Sequence, residues 1–503
     1  MATASGFPIP TGLSVGGAGR GRLHGLAAPL VLAVLLSACQ TAGPDYSAPQ
    51  PPVTMAQFPS GGSAVAAEPH EGAWWSEVTD PELARLIDEG LEANLDLEEA
   101  SARVLASRAL LRETSTLGRP SVNLEASALA NRQSVAATGF PGLQAEDRVS
   151  PSASVAAGWE IDLFGRIARQ IESAEASAEA LEATREDLAR LIAADIALAY
   201  LDLREAQART AVAEENLENQ RSTLELTGIL AENGKASQLD LARAEAQVAS
   251  TEARLPQLRT LATAARNRLT TLLALEPGTL DARLAAPAGL PDLPDFVVTG
   301  SPATVINRRP DVRAAERELA AAAARIGVAT AELYPSISLT GSAGLSSADL
   351  ADFTSSDAFS FGFGPRLTWN LFDRSAIYAR IEQAGANQAA SLARFRQTVL
   401  QALEEVDSAL SAYNEEAERT ARLKAARDAS AKAQELARAR FELGREPFLT
   451  VLDAERVLLA ADDELTASAA ARLRALIQLY RAIASGASRK TLSSTDTAPE
   501  GKP

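Results

Sequence analysis

Residues 359–371 read Phe-Ser-Phe-Gly-Phe-Gly-Pro-Arg-Leu-Thr-Trp-Asn-Leu. Phe359, Phe361, Phe363, Leu367, Trp369 and Leu371 are apolar, and Ser360, Gly362, Gly364, Arg366, Thr368 and Asn370 between them are small or polar. A period of two is that of a strand with one apolar and one wet face. At roughly 11 to 13 residues it has the length of a tilted membrane-spanning β-strand. From about Asp373 the pattern turns helical and runs without Pro to about Leu443.

The same alternation occurs three more times. Val122, Leu124, Ala126 and Ala128 alternate with Asn123, Glu125 and Ser127; a second run carries Val155, Ala157, Trp159, Ile161 and Leu163; a third carries Ile337, Leu339, Gly341, Ala343 and Leu345. Helical patterns fill the rest, over 96–117, 164–230, 237–275 with a kink expected at Pro256, 311–333 and the long run after residue 373. Asn233-Gly234 and Gly444 are stop signals. At about 65 to 70 residues, the two longest helices would each reach about 100 Å. Their Ala- and Leu-rich stripes, such as Leu403, Val406, Leu410 and Tyr413, suit close packing against neighbouring helices.

The programme is duplicated. Asp96 and Asp311, and Pro120 and Pro335, lie 215 residues apart, while Trp159 and Trp369, Gly234 and Gly444, and Glu245 and Glu455 lie 210 apart. Residues 73–275 and 306–485 are the expected repeats, joined by a Pro-rich linker over 276–305. Two strands per repeat give four per chain, too few to close a barrel. Open strand edges are not tolerated in lipid, so several chains must pool their strands.

Composition narrows the function. A net charge of −17 over 503 residues makes nucleic acid an unsuitable partner. Arg20 and Arg22 followed by a short apolar run over 26–36 read as a signal peptide over residues 1–38. Leu36-Ser37-Ala38-Cys39 resembles a bacterial lipobox, in which Cys39 would carry the lipid, palmitate among its acyl chains, and Gln40 beside it favours the outer membrane. Several acyl chains are needed for stable anchoring, since each buried methylene supplies only about 0.8 kcal/mol. Residues 39–72 read as an extended linker and 486–503 as a disordered tail. No run of eighteen apolar residues follows Cys39, which excludes a membrane-spanning helix.

Strand pairs, very long helices, a tandem duplication and a lipobox together resemble the TolC/OprM-like outer-membrane efflux factors, in particular the NodT-type lipoproteins. The resemblance rests on Trp74-Trp75 through Asp80-Pro81 and Asn94-Leu95-Asp96, on residues 158–166 (Gly-Trp-Glu-Ile-Asp-Leu-Phe-Gly-Arg), on residues 308–316 (Arg-Arg-Pro-Asp-Val-Arg-Ala-Ala-Glu) and on Tyr334-Pro335-Ser336-Ile337. It implies a mainly α fold with a transmembrane β-barrel, in which three chains form a twelve-stranded barrel continuous with an α-helical periplasmic tunnel. It implies partners too: a homotrimer, a periplasmic adaptor protein and an inner-membrane RND-type pump.

By the same resemblance, the helical turns around Gly234 and Gly444 close the tunnel. Leu449, Asp453 and Arg456 fall where OprM-like proteins hold a constricting Leu, a constricting Asp and an Arg that ties the helices shut. The i, i+4 spacing places Leu449 and Asp453 on one face, and Asp453 with Arg456 is a candidate i, i+3 ion pair. Asp240 matches a gate Asp of TolC-like proteins, but the position of its usual Arg partner is Glu446, which leaves Arg445 or Arg243 as substitutes. Thr450 replaces a second constricting Asp.

No catalytic constellation, phosphate-binding loop or zinc ligand set is present in the sequence, and no cofactor is expected beyond the lipid on Cys39. The expected function is a passive exit duct for small molecules in the outer membrane, extending into the periplasm of a Gram-negative bacterium and gated at its periplasmic end. Export of proteins uses the same architecture, and a structural coiled-coil lipoprotein is the rival from another class; four alternating strands argue against a tether.

Overall fold

The computed structural model describes residues 41–51, 53–61, 74–76, 80–132, 134, 147–291 and 300–484. The expected signal peptide, Cys39 and the tail over 486–503 lie outside the described residues. These residues fall into two compact units, one of strands and one of helices.

The strand unit takes the described residues of 41–43, 120–168 and 330–372. Its strands β1 (Ser121–Arg132), β2 (Asp147–Ile161), β3 (Ser336–Ser346) and β4 (Phe359–Thr368) form one antiparallel sheet in the order β1-β2-β3-β4. The register explains the alternation of the sequence. Phe361 lies opposite Ala343, which lies opposite Val155, which lies opposite Leu124. The rows beside it run Phe359, Leu345, Ala153, Ala126 and Phe363, Gly341, Ala157, Val122. Rows through the alternate residues run Ser360, Gly344, Ser154, Glu125 and Gly362, Ser342, Ala156, Asn123. Because a strand turns each successive side chain to the opposite face, these four strands build one apolar face and one small or polar face. The apolar side is bare in the single chain: Phe361, Phe363 and Leu124 are 77%, 76% and 77% exposed.

β4 stops three residues short of the expected end. The ladder closes at Ser336 opposite Thr368, and the next residue of β3 would be Pro335, which has no N–H to offer. Trp369 instead donates its indole N–H to the Leu333 carbonyl at 3.0 Å. The motif at 158–166 fastens the turn out of β2: Arg166 holds Glu160 at 2.8 Å, Asp162 accepts from the Ala168 N–H at 2.8 Å, and Phe164 stacks on Tyr334 at 4.7 Å.

The helical unit takes the described residues of 44–119, 169–329 and 373–484. Its elements are α1 (Pro81–Ala93), α2 (Leu95–Thr116), α3 (Arg166–Glu232), α4 (Gln238–Glu252), α5 (Arg254–Leu272), α6 (Pro302–Arg308), α7 (Pro310–Ala331), α8 (Arg374–Glu442) and α9 (Phe448–Ala482). The first three residues of α3 belong to the strand unit. α3 and α8 run 67 and 69 residues without interruption, about 100 Å each at the rise of an α-helix. No described helix is long and apolar enough to cross a membrane. The kink expected at Pro256 is a break at Ala253 between α4 and α5. It falls there because a proline disrupts the turn that precedes it, losing the bond to the fourth residue back.

The motifs with Trp74, Asp80, Asn94 and Arg309 turn out to be fastenings of the main core. Trp74 stacks on Tyr480 at 5.2 Å. Asp80 caps α1 through the Glu82 and Leu83 N–H groups and accepts the Tyr200 hydroxyl at 2.6 Å. Asn94 caps α2 and donates to the Leu272 carbonyl at 2.8 Å. Arg309, 2% exposed, pairs with Asp311 at 2.6 Å and Glu405 at 2.7 Å and donates to the Ala482 carbonyl. Burial works against its charge, yet those two carboxylates hold its pKa above the usual arginine range.

The described parts of the two expected linkers are packed. Leu280 and Leu284, inside the Pro-rich stretch, are buried in the main core, and α6 occupies its end. The described residues of 44–61 lie against the helices rather than reaching away from them. Asp45 pairs with Arg169 at 2.6 Å, the Tyr46 hydroxyl donates to Glu316, and the Ser60 N–H donates to Asp407 at 2.8 Å. Phe58 is buried in the same core.

Candidate functional site

The α3–α4 and α8–α9 turns share one backbone solution. Gly234 and Gly444 have φ of +67° and +69°, left-handed values at which a Cβ is penalised. The Lys235 N–H donates to the Leu230 carbonyl at 2.7 Å and the Arg445 N–H to the Arg440 carbonyl at 2.9 Å, the paired bonds that satisfy carbonyls at a helix end. Behind the turns Ala244, Ala437, Phe441, Phe448, Val451 and Leu452 form a small apolar core.

The side chains differ between the two turns. Ser237 and Asp240 form a reciprocal capping box at the start of α4, with the Ser237 hydroxyl donating to the Asp240 carboxylate at 2.6 Å. Of the two arginines open as partners in the sequence, Arg243 lies 3.7 Å from Asp240, while Arg445 forms no ion pair with it among the described residues. Glu446, at the position of the usual partner, is held by Arg440 at 3.2 Å.

α9 starts after Pro447 with no side-chain cap. Leu449, Asp453 and Arg456 share one exposed stripe, Leu449 at 53% exposure. The ion pair expected between Asp453 and Arg456 is not formed in the single chain. Both are in solvent, where such a pair gains about 0–1 kcal/mol and must first immobilise two side chains.

Glu455, which the sequence marks only as the repeat equivalent of Glu245 and not as a site residue, is 5% exposed and accepts the Thr223 hydroxyl of α3 at 2.7 Å. A helical wheel would have found it, because it occupies the buried stripe of Phe448, Val451, Leu452 and Leu459. Other pairs bind the long helices laterally: Arg209 to Asp463 at 2.8 Å, Arg427 to Asp462 at 2.7 Å and Arg474 to Asp202 at 2.6 Å. No cluster of His, Cys, Asp or Glu that could hold a metal occurs among the described residues.

Comparison with known proteins settles the family. The family described as Outer membrane efflux protein matches residues 86–275 and again 302–485. The chain belongs to the outer membrane efflux proteins. This efflux protein is 32% identical over 456 residues to Nodulation protein T of Rhizobium leguminosarum bv. trifolii, covering 90% of this chain and 96% of that one. It is 32% identical over 470 residues to the Antibiotic efflux pump outer membrane protein ArpC of Pseudomonas putida, covering 91% and 94%. The structure of the outer-membrane channel OprN superposes with a TM-score of 0.82 at 37% identity over 88% of this efflux protein and 99% of that chain. The four-stranded, mainly helical fold is that of outer-membrane efflux channels.

Proposed function

We propose that this efflux protein is a trimeric, passive exit duct of the outer membrane, narrowed at the paired helical turns by Leu449, Asp453 and Arg456, with Asp240 beside them. The observation that carries the reading is the sheet. Its apolar face is exposed and β1 and β4 have no outer partner among the described residues, a state that lipid tolerates only when strands close into a ring. Three copies would supply twelve strands, and a three-fold axis would turn Leu449 and Asp453 into rings. Asp453 has no ion-pair partner within the described residues of its own chain, so its carboxylate is available to Arg456 of a neighbouring copy.

In this reading Cys39 carries the lipid anchor, residues 73–275 and 306–485 are the duplicated halves, and a periplasmic adaptor protein and an inner-membrane pump of the RND type deliver cargo. Small molecules are the favoured cargo over proteins, on the ground of the efflux-pump relative from Pseudomonas putida. The chain supplies conduit and gate, not chemistry. Replacing Asp453 and Arg456 together by Ala should raise single-channel conductance in a planar bilayer several-fold; unchanged conductance would overturn the gate assignment.

A further inference from the structure

α9 turns Phe448, Val451, Leu452, Glu455 and Leu459 inward at spacings of three and four residues, and all five are buried. Glu455 alone among them is ionisable. The stripe of α3 that includes its partner is polar: Asn216, Gln220, Thr223 and Thr227 follow one another at spacings of four, three and four, and are 8%, 3%, 3% and 0% exposed. Earlier in α3 the buried residues are mostly apolar, Ile192, Ile196, Tyr200 and Leu203 among them, with Arg190 and Arg204 as buried charges. The helix therefore changes from a mainly apolar to a mainly polar seam where it meets Glu455, Leu217 being the large apolar residue buried in the later stretch. Gln220, one turn from Thr223, buries both its amide oxygen and its amide nitrogen without a hydrogen-bond partner among the described residues. Unmade bonds of that kind weaken a seam.

The charges around Glu455 leave it nearly alone. From α8, Arg438 acts on it and is itself paired with Glu442 at 3.4 Å. On α3 the charged residues of this stretch, Glu218, Arg221 and Glu225, are exposed, and Arg221 is engaged by Glu252 of α4 at 2.7 Å. On α4, Asp240 and Arg243 lie 3.7 Å apart and Glu245 is exposed. On α9 itself, Asp453 and Arg456 point to solvent.

We propose that Glu455 is a proton-operated latch on the α3–α9 seam, closing it when protonated and loosening it when ionised. Ionised, the carboxylate can only accept, and it is held away from water by the apolar core behind the turns. Protonated, it gains an O–H, and the amide oxygen of Gln220 is a buried acceptor with no partner among the described residues. Burial pushes the Glu455 pKa up, against smaller pulls from the Thr223 hydrogen bond and from Arg438. The packed state then binds the proton more tightly than the opened state. Its extra stability is complete below the ordinary glutamate range and is lost as pH rises through the raised value. The latch rests on the gate reading only for its effect on flux, because the seam can be measured without transport.

The test is amide hydrogen exchange on the full-length protein, followed at residues 216–230 and 448–460 between pH 5 and pH 8 and corrected for intrinsic exchange. Protection in the wild type should fall about tenfold for each unit by which the Glu455 pKa is raised. Glu455→Gln, uncharged and of the same shape, should hold the low-pH protection throughout. Glu245→Gln, at the equivalent exposed position of the first repeat, should keep the wild-type slope. A wild type without slope, or a Glu455→Gln protein that retains it, would overturn the latch. A pH-dependent seam beside a conductance indifferent to the Asp453/Arg456 replacement would uphold the latch and refute the gate.

Discussion

The two helical turns are copies in backbone and strangers in side chain. Gly234 and Gly444 adopt the same left-handed conformation and close their helices with the same pair of hydrogen bonds. After the glycine, the first turn spends its polar groups on itself, Ser237 and Asp240 capping α4. The second has Pro447 where the cap residue would be and leaves Asp453 and Arg456 in solvent. Equivalent glutamates diverge as well, Glu245 exposed and Glu455 buried. A duplicated frame thus fixes where the chain reverses, while the assignment of polar groups decides which turn is finished within one chain and which is left with side chains to engage elsewhere.

The sharpest way to break that comparison is to put the same charge reversal at both glutamates. Glu455→Lys buries a cation near Arg438 and should cost about 3–5 kcal/mol, whereas Glu245→Lys should stay within about 0.5 kcal/mol; thermal unfolding of the full-length protein compares them. Equal losses would show that the two seams are alike. Backbone equivalence is tested by Gly234→Val and Gly444→Val, each expected to lose about 1–2 kcal/mol in denaturant unfolding; a clear inequality would mean that only one turn needs its left-handed residue. The smallest effect should come from the cap. Ser237→Ala should loosen the first turn of α4 by about 1 kcal/mol, seen as faster amide exchange there, while Thr450→Ala, at the equivalent of Asp240, should change nothing measurable at the second turn.

Much of this was legible in the sequence because it is written in periods. The alternation of residues 359–371 placed β4 and showed which of its residues share a face with Ile337, Leu339 and Ala343, while the register itself comes from the pairing of the strands. Gly234, Gly444 and Pro256 are local signals with local consequences. What escaped was set by contacts distant in sequence. The Pro-rich composition of 276–305 concealed Leu280 and Leu284, whose burial depends on helices far away along the chain. β4 ended early because of Pro335, on the neighbouring strand. At the site, Glu455 and Gln220 occupy core positions with polar side chains, so a count of apolar residues passes over them. Only coordinates could choose Arg243 over Arg445 as the neighbour of Asp240.

The pairing of β2 with β3 at the centre of the sheet also imposes an order of events. β1 with β2, and β3 with β4, are hairpins whose strands meet across short stretches of chain, so each can form early. Ile161 and Ile337, by contrast, are opposite one another although α3 through α7 lie between them in sequence. Joining ends so far apart is entropically uphill until the intervening chain is compact. The sheet is therefore expected to be completed after the helices that separate its halves. Two hairpins joined by one late ladder would assemble the exposed apolar face only once there is a folded body to carry it.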